Sequence, residues 1–160
     1  MHEEINGLII YVPEHFSCFE VFPPELIAIY GNEDLKRIWF FMNPLVLITI
    51  DRLRERYGSA LMNTYNFKDE ILLKYGVHHY RGWRSKDCHV GAKYSQHKMG
   101  NAADIVFVNV NAETVRADIL NRPYDRVFEN ITCIEMGVSW LHFDVRPHDK
   151  ANKGILKIYP

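Results

Sequence analysis

The spacing of apolar and polar positions divides this chain into short elements. Residues 44–57 carry the clearest helical pattern, with Val46, Ile50, Leu53 and Tyr57 on one face, Asn43 as a cap, Pro44 in the first turn and Gly58 as a stop. Asp51, Arg52, Arg54, Glu55 and Arg56 cover the remainder and are expected to form a solvated face. A shorter helix is predicted over 25–30, behind Pro23-Pro24 and before Gly31. Another runs from a cap at Asn111 to about residue 121, with Val115 and Ile119 inward and Pro123 beyond its end.

Strand signals are brief. The run at 7–12, closed by Pro13, fits a peripheral strand or an extended arm, and 61–66 fits a strand. Residues 76–83 follow neither period, and 85–94 reads as a polar loop leading into a strand at 102–108. Segments 130–135 and 140–145 fit a hairpin joined by Met136-Gly137-Val138-Ser139, and 155–159 fits an edge strand. If Glu135 pairs with Trp140, then Cys133 opposes His142. Ile131, Cys133, Glu135, Trp140, His142 and Asp144 would share one face, with Glu135 diagonally beside His142. With no repeat or linker, the expected fold class is α+β, a small antiparallel sheet with flanking helices in one domain spanning 1–160.

Composition narrows the function. A chain of 160 residues, 48% apolar and 24% charged, can bury a substantial core. Its net charge of -1 gives no basic footprint for nucleic acid. Cys18, Cys88 and Cys133 have unrelated spacings, which argues against a disulfide framework and for a reducing compartment. The acidic N-terminus does not read as a signal peptide and no apolar run is long enough to span a bilayer, so synthesis in the cytoplasm, no membrane insertion and a monomer are expected.

The candidate chemistry lies in Ser95-Gln96-His97-Lys98-Met99-Gly100-Asn101-Ala102-Ala103-Asp104. His97 and Asp104 are seven positions apart and converge only if the chain turns between them, which Gly100 permits. His142, in Trp140-Leu141-His142-Phe143-Asp144, supplies a second imidazole, and two histidines with one carboxylate make a three-ligand zinc site with one position open. Glu135 beside His142 is placed to act as the general base a zinc hydrolase requires, or else it ends its strand in solvent. Asp144 either orients a ligand or pairs with Arg146. His78 and His79 are adjacent, so at most one can line a cleft, and His89, beside Cys88, has no partner spacing for a second metal. His2, His15 and His148 look incidental. Trp83, Trp140 and Tyr94 are read as core or rim packing that also suits a cleft wall.

The elements "GWRS", "SQHKMGNAAD" and "WLHFD", in that order over about 82–146, resemble the zinc D-alanyl-D-alanine carboxypeptidase and phage endolysin family, whose fold is shared with the hedgehog signalling domain. The resemblance implies zinc on His97, Asp104 and His142, with Arg84 contacting a substrate carboxylate or the developing oxyanion. It makes Ser95 the motif serine, read as a hydrogen bonder that organises its loop. Many members carry glutamate three residues before the last histidine; that position here is Ser139, so the acid would come from Glu135 on the neighbouring strand. The implied activity is amide hydrolysis in peptidoglycan stem peptides, by an enzyme that reaches the wall after release from the cell. The competing reading, kept open by Ser139, is a metal-binding structural or binding module without turnover, for example a phage virion component. An iron oxygenase reading of His142-Phe143-Asp144 fails because only 16 residues follow Asp144, too few for the distal histidine.

Overall fold

The computed structural model describes residues 1–5, 7–30 and 35–160. In chain order the elements are β1 (His2–Ile5), β2 (Leu8–Tyr11), α1 (Cys18–Val21), α2 (Pro24–Tyr30), a 3₁₀ segment (Leu35–Phe41), α3 (Pro44–Tyr57), β3 (Ala60–Leu61) and α4 (Asp69–Tyr75). There follow a 3₁₀ turn (Gln96–Met99), β4 (Ala102–Phe107), α5 (Ala112–Asn121), β5 (Cys133–Glu135), β6 (Leu141–Asp144), α6 (Lys150–Lys153) and β7 (Leu156–Ile158). The fold is α+β. β1 and β2 form an antiparallel hairpin, and the other five strands form one sheet in the order β3-β4-β6-β5-β7. That sheet is mixed and not purely antiparallel as expected, because α6 carries the chain across before β7 returns parallel to β5.

Alternation along the strands divides the sheet's residues. Ala103, Ile105 and Phe107 of β4, Ile134 of β5, and Leu141 and Phe143 of β6 join one apolar core with Val46, Leu47, Ile50 and Leu53 of α3 and Val115 and Ile119 of α5. Between them stand Asp104, Cys133, Glu135, His142 and Asp144, which therefore face the other way. Asn43 caps α3 by accepting from the Leu45 N–H at 3.0 Å, and Asn111 caps α5 through the Thr114 N–H at 2.8 Å. Gly31, the expected stop of α2, lies outside the described residues.

Several expectations need correction. Asp51 is not on a solvated face: it is 2% exposed and accepts from the Glu14 and His15 N–H groups and the Tyr11 hydroxyl at 2.8–3.0 Å. It ties α3 to the segment after β2. Its arginine neighbours also bind: Arg52 reaches Glu129, Arg54 the His15 carbonyl and Arg56 Asp125. The strand expected at 61–66 is only Ala60–Leu61, because Asn63 and Thr64 spend their polar groups on Val21, Arg81 and His78 instead of a ladder. The strands expected at 130–135 and 140–145 shorten to Cys133–Glu135 and Leu141–Asp144. Among the described residues, no helix is long and apolar enough to cross a membrane.

Removing the Asp51 carboxylate takes the acceptor from the Glu14 and His15 N–H groups and from the Tyr11 hydroxyl. Asp51→Ala is expected to cost roughly 3 kcal/mol, and Tyr11→Phe about 1 kcal/mol, both measured by chemical denaturation. A loss below ~0.5 kcal/mol for Asp51→Ala would contradict this role for the carboxylate.

Candidate metal centre

Two strands and one tight turn assemble the site. β4 pairs with β6 so that Asp104 lies directly opposite His142. The 3₁₀ turn supplies His97, and Gly100 ends it with φ 69°, a left-handed conformation that lets the chain reverse into β4. A Cβ on Gly100 would also stand 2.1 Å from the Phe41 carbonyl oxygen, so the turn is pressed against the segment before α3. His97 and Asp104 converge as expected.

The three side chains are buried, between 2% and 7% exposed. His97 Nδ1 lies 2.7 Å from the Gly82 carbonyl oxygen. A carbonyl only accepts, so Nδ1 holds a proton, and Nε2 is the ring nitrogen turned inward. That Nε2 stands 3.3 Å from both His142 Nδ1 and Asp104 Oδ1, and the latter two are 2.6 Å apart. Ligand atoms on a tetrahedral zinc at its usual bond lengths lie roughly 3.3 Å from one another. Two edges of the triangle have that length, and the third has closed to a charge-assisted hydrogen bond. The cluster can hold a metal ion.

The surroundings fix these donors. Asp144, fully buried, is 3.6 Å from His142 Nε2 and is gripped by Arg146 through Nε, Nη2 and the backbone N–H. Of the two readings of Asp144, the pairing with Arg146 is the one its hydrogen bonds show; His142 Nε2 lies beyond hydrogen-bond distance. Arg84 is buried, donates through Nε to the Tyr80 carbonyl and reaches Asp104 Oδ2 at 3.3 Å through Nη2, while its Nη1 has no hydrogen-bond partner among the described residues. Burial opposes charge on Asp104, and the pull of His97 and His142 overrides it, holding the carboxyl far below the usual carboxylate range. Burial likewise opposes charge on His142, but the hydrogen bond to Asp104 and the neighbouring Asp144 carboxylate raise it from 6.5 to about 9. For Asp144, burial is outweighed by His142 and Arg146, and the carboxyl falls to about 2.

The cluster opens into a cleft of about 420 Å³ also lined by Arg84, Tyr94, Ser95, Glu135, Trp140 and Ile158. Glu135 reaches it in a register different from the one expected. Cys133 pairs with Asp144 and Ile134 with Phe143, a shift of two residues that keeps every side chain on its face; the ladder ends there, and the same register carried one position further brings Glu135 level with His142. Trp140 consequently lies outside β6, in the connection. Ser95 lines the cleft but makes no capping hydrogen bond through its hydroxyl; its backbone carbonyl receives the Lys98 N–H instead. Neither His78, His79 nor His89 lines the cleft, and Trp83 packs against Phe41. Sequence reasoning missed Arg81, whose Nη1 is 3.6 Å from Asp104 Oδ2.

A histidine whose pKa is raised by folding adds stability that is complete below its unfolded value of 6.5 and is lost as pH climbs through about 9. In chelator-treated protein, the Tm of the wild type should therefore fall across that interval and that of His142→Gln should not. Parallel pH profiles of the two would contradict the pairing.

Compared with protein-family models, with curated proteins and with solved structures, the chain matches none.

Proposed function

We propose that this chain is a zinc-dependent metallopeptidase that hydrolyses an amide bond in peptidoglycan stem peptides, of the carboxypeptidase or endolysin type. The observation that carries the reading is the meeting of His97, Asp104 and His142 in a cleft that Glu135 also lines. Two imidazoles and one carboxylate favour zinc over magnesium or calcium, and three protein donors are the number found at hydrolytic zinc sites. The hedgehog and D,D-peptidase likeness of the motifs "GWRS", "SQHKMGNAAD" and "WLHFD" supplies the substrate class.

Zinc held by these donors would supply a Lewis acid for the amide carbonyl and lower the pKa of attacking water. The remaining work falls to the chain. Glu135 accepts the proton from that water and passes it to the leaving amine. Arg84 has Nε and Nη2 engaged by Tyr80 and Asp104, so its guanidinium is fixed, and Nη1 is left to meet a substrate carboxylate or the oxyanion. The Asp144 carboxylate lies 3.6 Å from His142 Nε2 and gives the outer edge of that ring a negative neighbour while Nδ1 faces inward. Trp140, Tyr94 and Ile158 give the cleft apolar walls for the peptide.

The test is digestion of purified peptidoglycan by zinc-loaded protein, with released fragments identified by mass spectrometry. Wild type should release stem-peptide fragments, and His97→Ala should neither retain zinc nor cleave. Glu135→Gln should retain zinc and lose about 10²–10⁴-fold in turnover. Zinc-loaded wild type that releases nothing from any wall type would overturn the peptidase reading, and undiminished turnover by Glu135→Gln would overturn the assignment of the base.

A further inference from the structure

The two oxygens of Asp104 face different company. Oδ1 faces the imidazoles, 2.6 Å from His142 and 3.3 Å from His97. Oδ2 faces two guanidiniums, Arg84 at 3.3 Å and Arg81 at 3.6 Å. A carboxylate shared in this way presents one oxygen to the imidazole side and cannot rotate its second oxygen inward without leaving two cations behind. Arg84 is already engaged with the Tyr80 carbonyl. Among the described residues Arg81 has no such second anchor for its charge; its guanidinium lies over the Trp140 ring, 4.1 Å from the centroid.

The backbone around Arg81 is unusually well fixed. Its N–H donates to Asn63 Oδ1 and its carbonyl accepts the Asp104 N–H, both at 2.8 Å. Asn63 is itself buried and bonded to the Val21 carbonyl. Tyr80, just before it, takes φ 58°, the single non-glycine residue with positive φ among the described residues. For a bulky side chain this costs about 1–2 kcal/mol and persists where the neighbours over-determine it. Here the Tyr80 N–H donates to the Tyr65 hydroxyl and its carbonyl receives Arg84, so the strained turn aims Arg81 and Arg84 at one carboxylate. Beneath Arg81, Trp140 is held from its other end by buried Arg116, which donates to the Trp140 and Val138 carbonyls at 2.8 and 2.7 Å.

We infer that Arg81 is a positioning residue: spread over Trp140 and facing the outer oxygen of Asp104, it holds that carboxylate to one-oxygen binding of the metal and fixes Trp140 as a wall of the cleft. This rests on the metal reading above and not on the identity of the substrate. One-oxygen binding keeps three protein donors at three coordination positions, which leaves the fourth for chemistry. Without Arg81, Asp104 turns its second oxygen inward and fills that space.

Visible absorption of the cobalt(II)-loaded protein reads this directly, since four-coordinate cobalt absorbs far more strongly than five- or six-coordinate cobalt. Arg81→Gln is expected to bind cobalt about tenfold more weakly and, at full loading, to show weakened bands. Arg81→Lys keeps a cation but loses the planar fork, and should fall between the two; it serves as the test should the glutamine variant not fold. A merely structural role would lower Tm and leave the spectrum of the loaded protein unchanged. A wild-type spectrum from a folded, fully loaded variant overturns the proposal. Wild-type protein that takes up no cobalt overturns the metal reading itself.

Discussion

A buried carboxylate that only cations can stabilise is the constraint on which this molecule turns. Asp104 sits inside the sheet at 5% exposure, where an unpaired charge would cost several kcal/mol. It is tolerated because His142 meets it across the ladder, His97 from the preceding turn, and Arg84 and Arg81 from the chain ahead of that turn. These four partners span sequence separations from seven to 38 residues. Their convergence therefore requires the long-range folding of the whole 81–144 region.

The same requirement explains the close backbone contacts around the site. A Cβ on Gly82 would stand 2.1 Å from the Val21 carbonyl oxygen, and Gly82 is the residue whose own carbonyl orients His97. Gly100 is pressed likewise on Phe41. The N-terminal part of the chain thus acts as a backing for the turn that carries His97. The α3 helix completes that backing, since Asn43, its cap, also bonds to Asn101 just before β4. What looks like a peripheral half in the sequence sets the position of a candidate metal ligand in the other.

The site was legible in the sequence where its geometry is local or governed by parity. His97 and Asp104 around Gly100 form a turn that seven residues can describe, and the alternation in β5 and β6 put Glu135, His142 and Asp144 on one face whatever the register. The register itself was not legible. Arg116 draws the Val138 and Trp140 carbonyls toward α5, which keeps Trp140 out of the β5–β6 ladder, whose pairs are Cys133–Asp144 and Ile134–Phe143. A contact from a separate helix decides that slip. Asp51 was misread for a similar reason: a charged residue on a helix looks solvated until the β2 segment covers it. Arg81 was hidden because nothing in the sequence announces a positive φ at tyrosine. The helix at 69–75 did carry signals, Asp69 and Glu70 in its first turn and Gly76 behind, but none of its residues is buried and no apolar face marks it.

Ser139, standing where the resemblance would put an acid, weighs less against catalysis once the ladder is considered. A residue three before His142 lies in the exposed connection ahead of β6. A residue directly across an antiparallel pair brings its Cβ to about 4.5–5.5 Å from its partner's, with both side chains on one face. The β5–β6 register, carried one position past Ile134–Phe143, brings Glu135 to that level relative to His142, and its parallel neighbour Ile158 flanks it at the cleft. The strand that carries an acid matters less than whether its side chain shares the face and the level of the metal ligand. By that measure Glu135, on a strand and lining the cleft, shares the face of His142, whereas Ser139 is exposed on the connection.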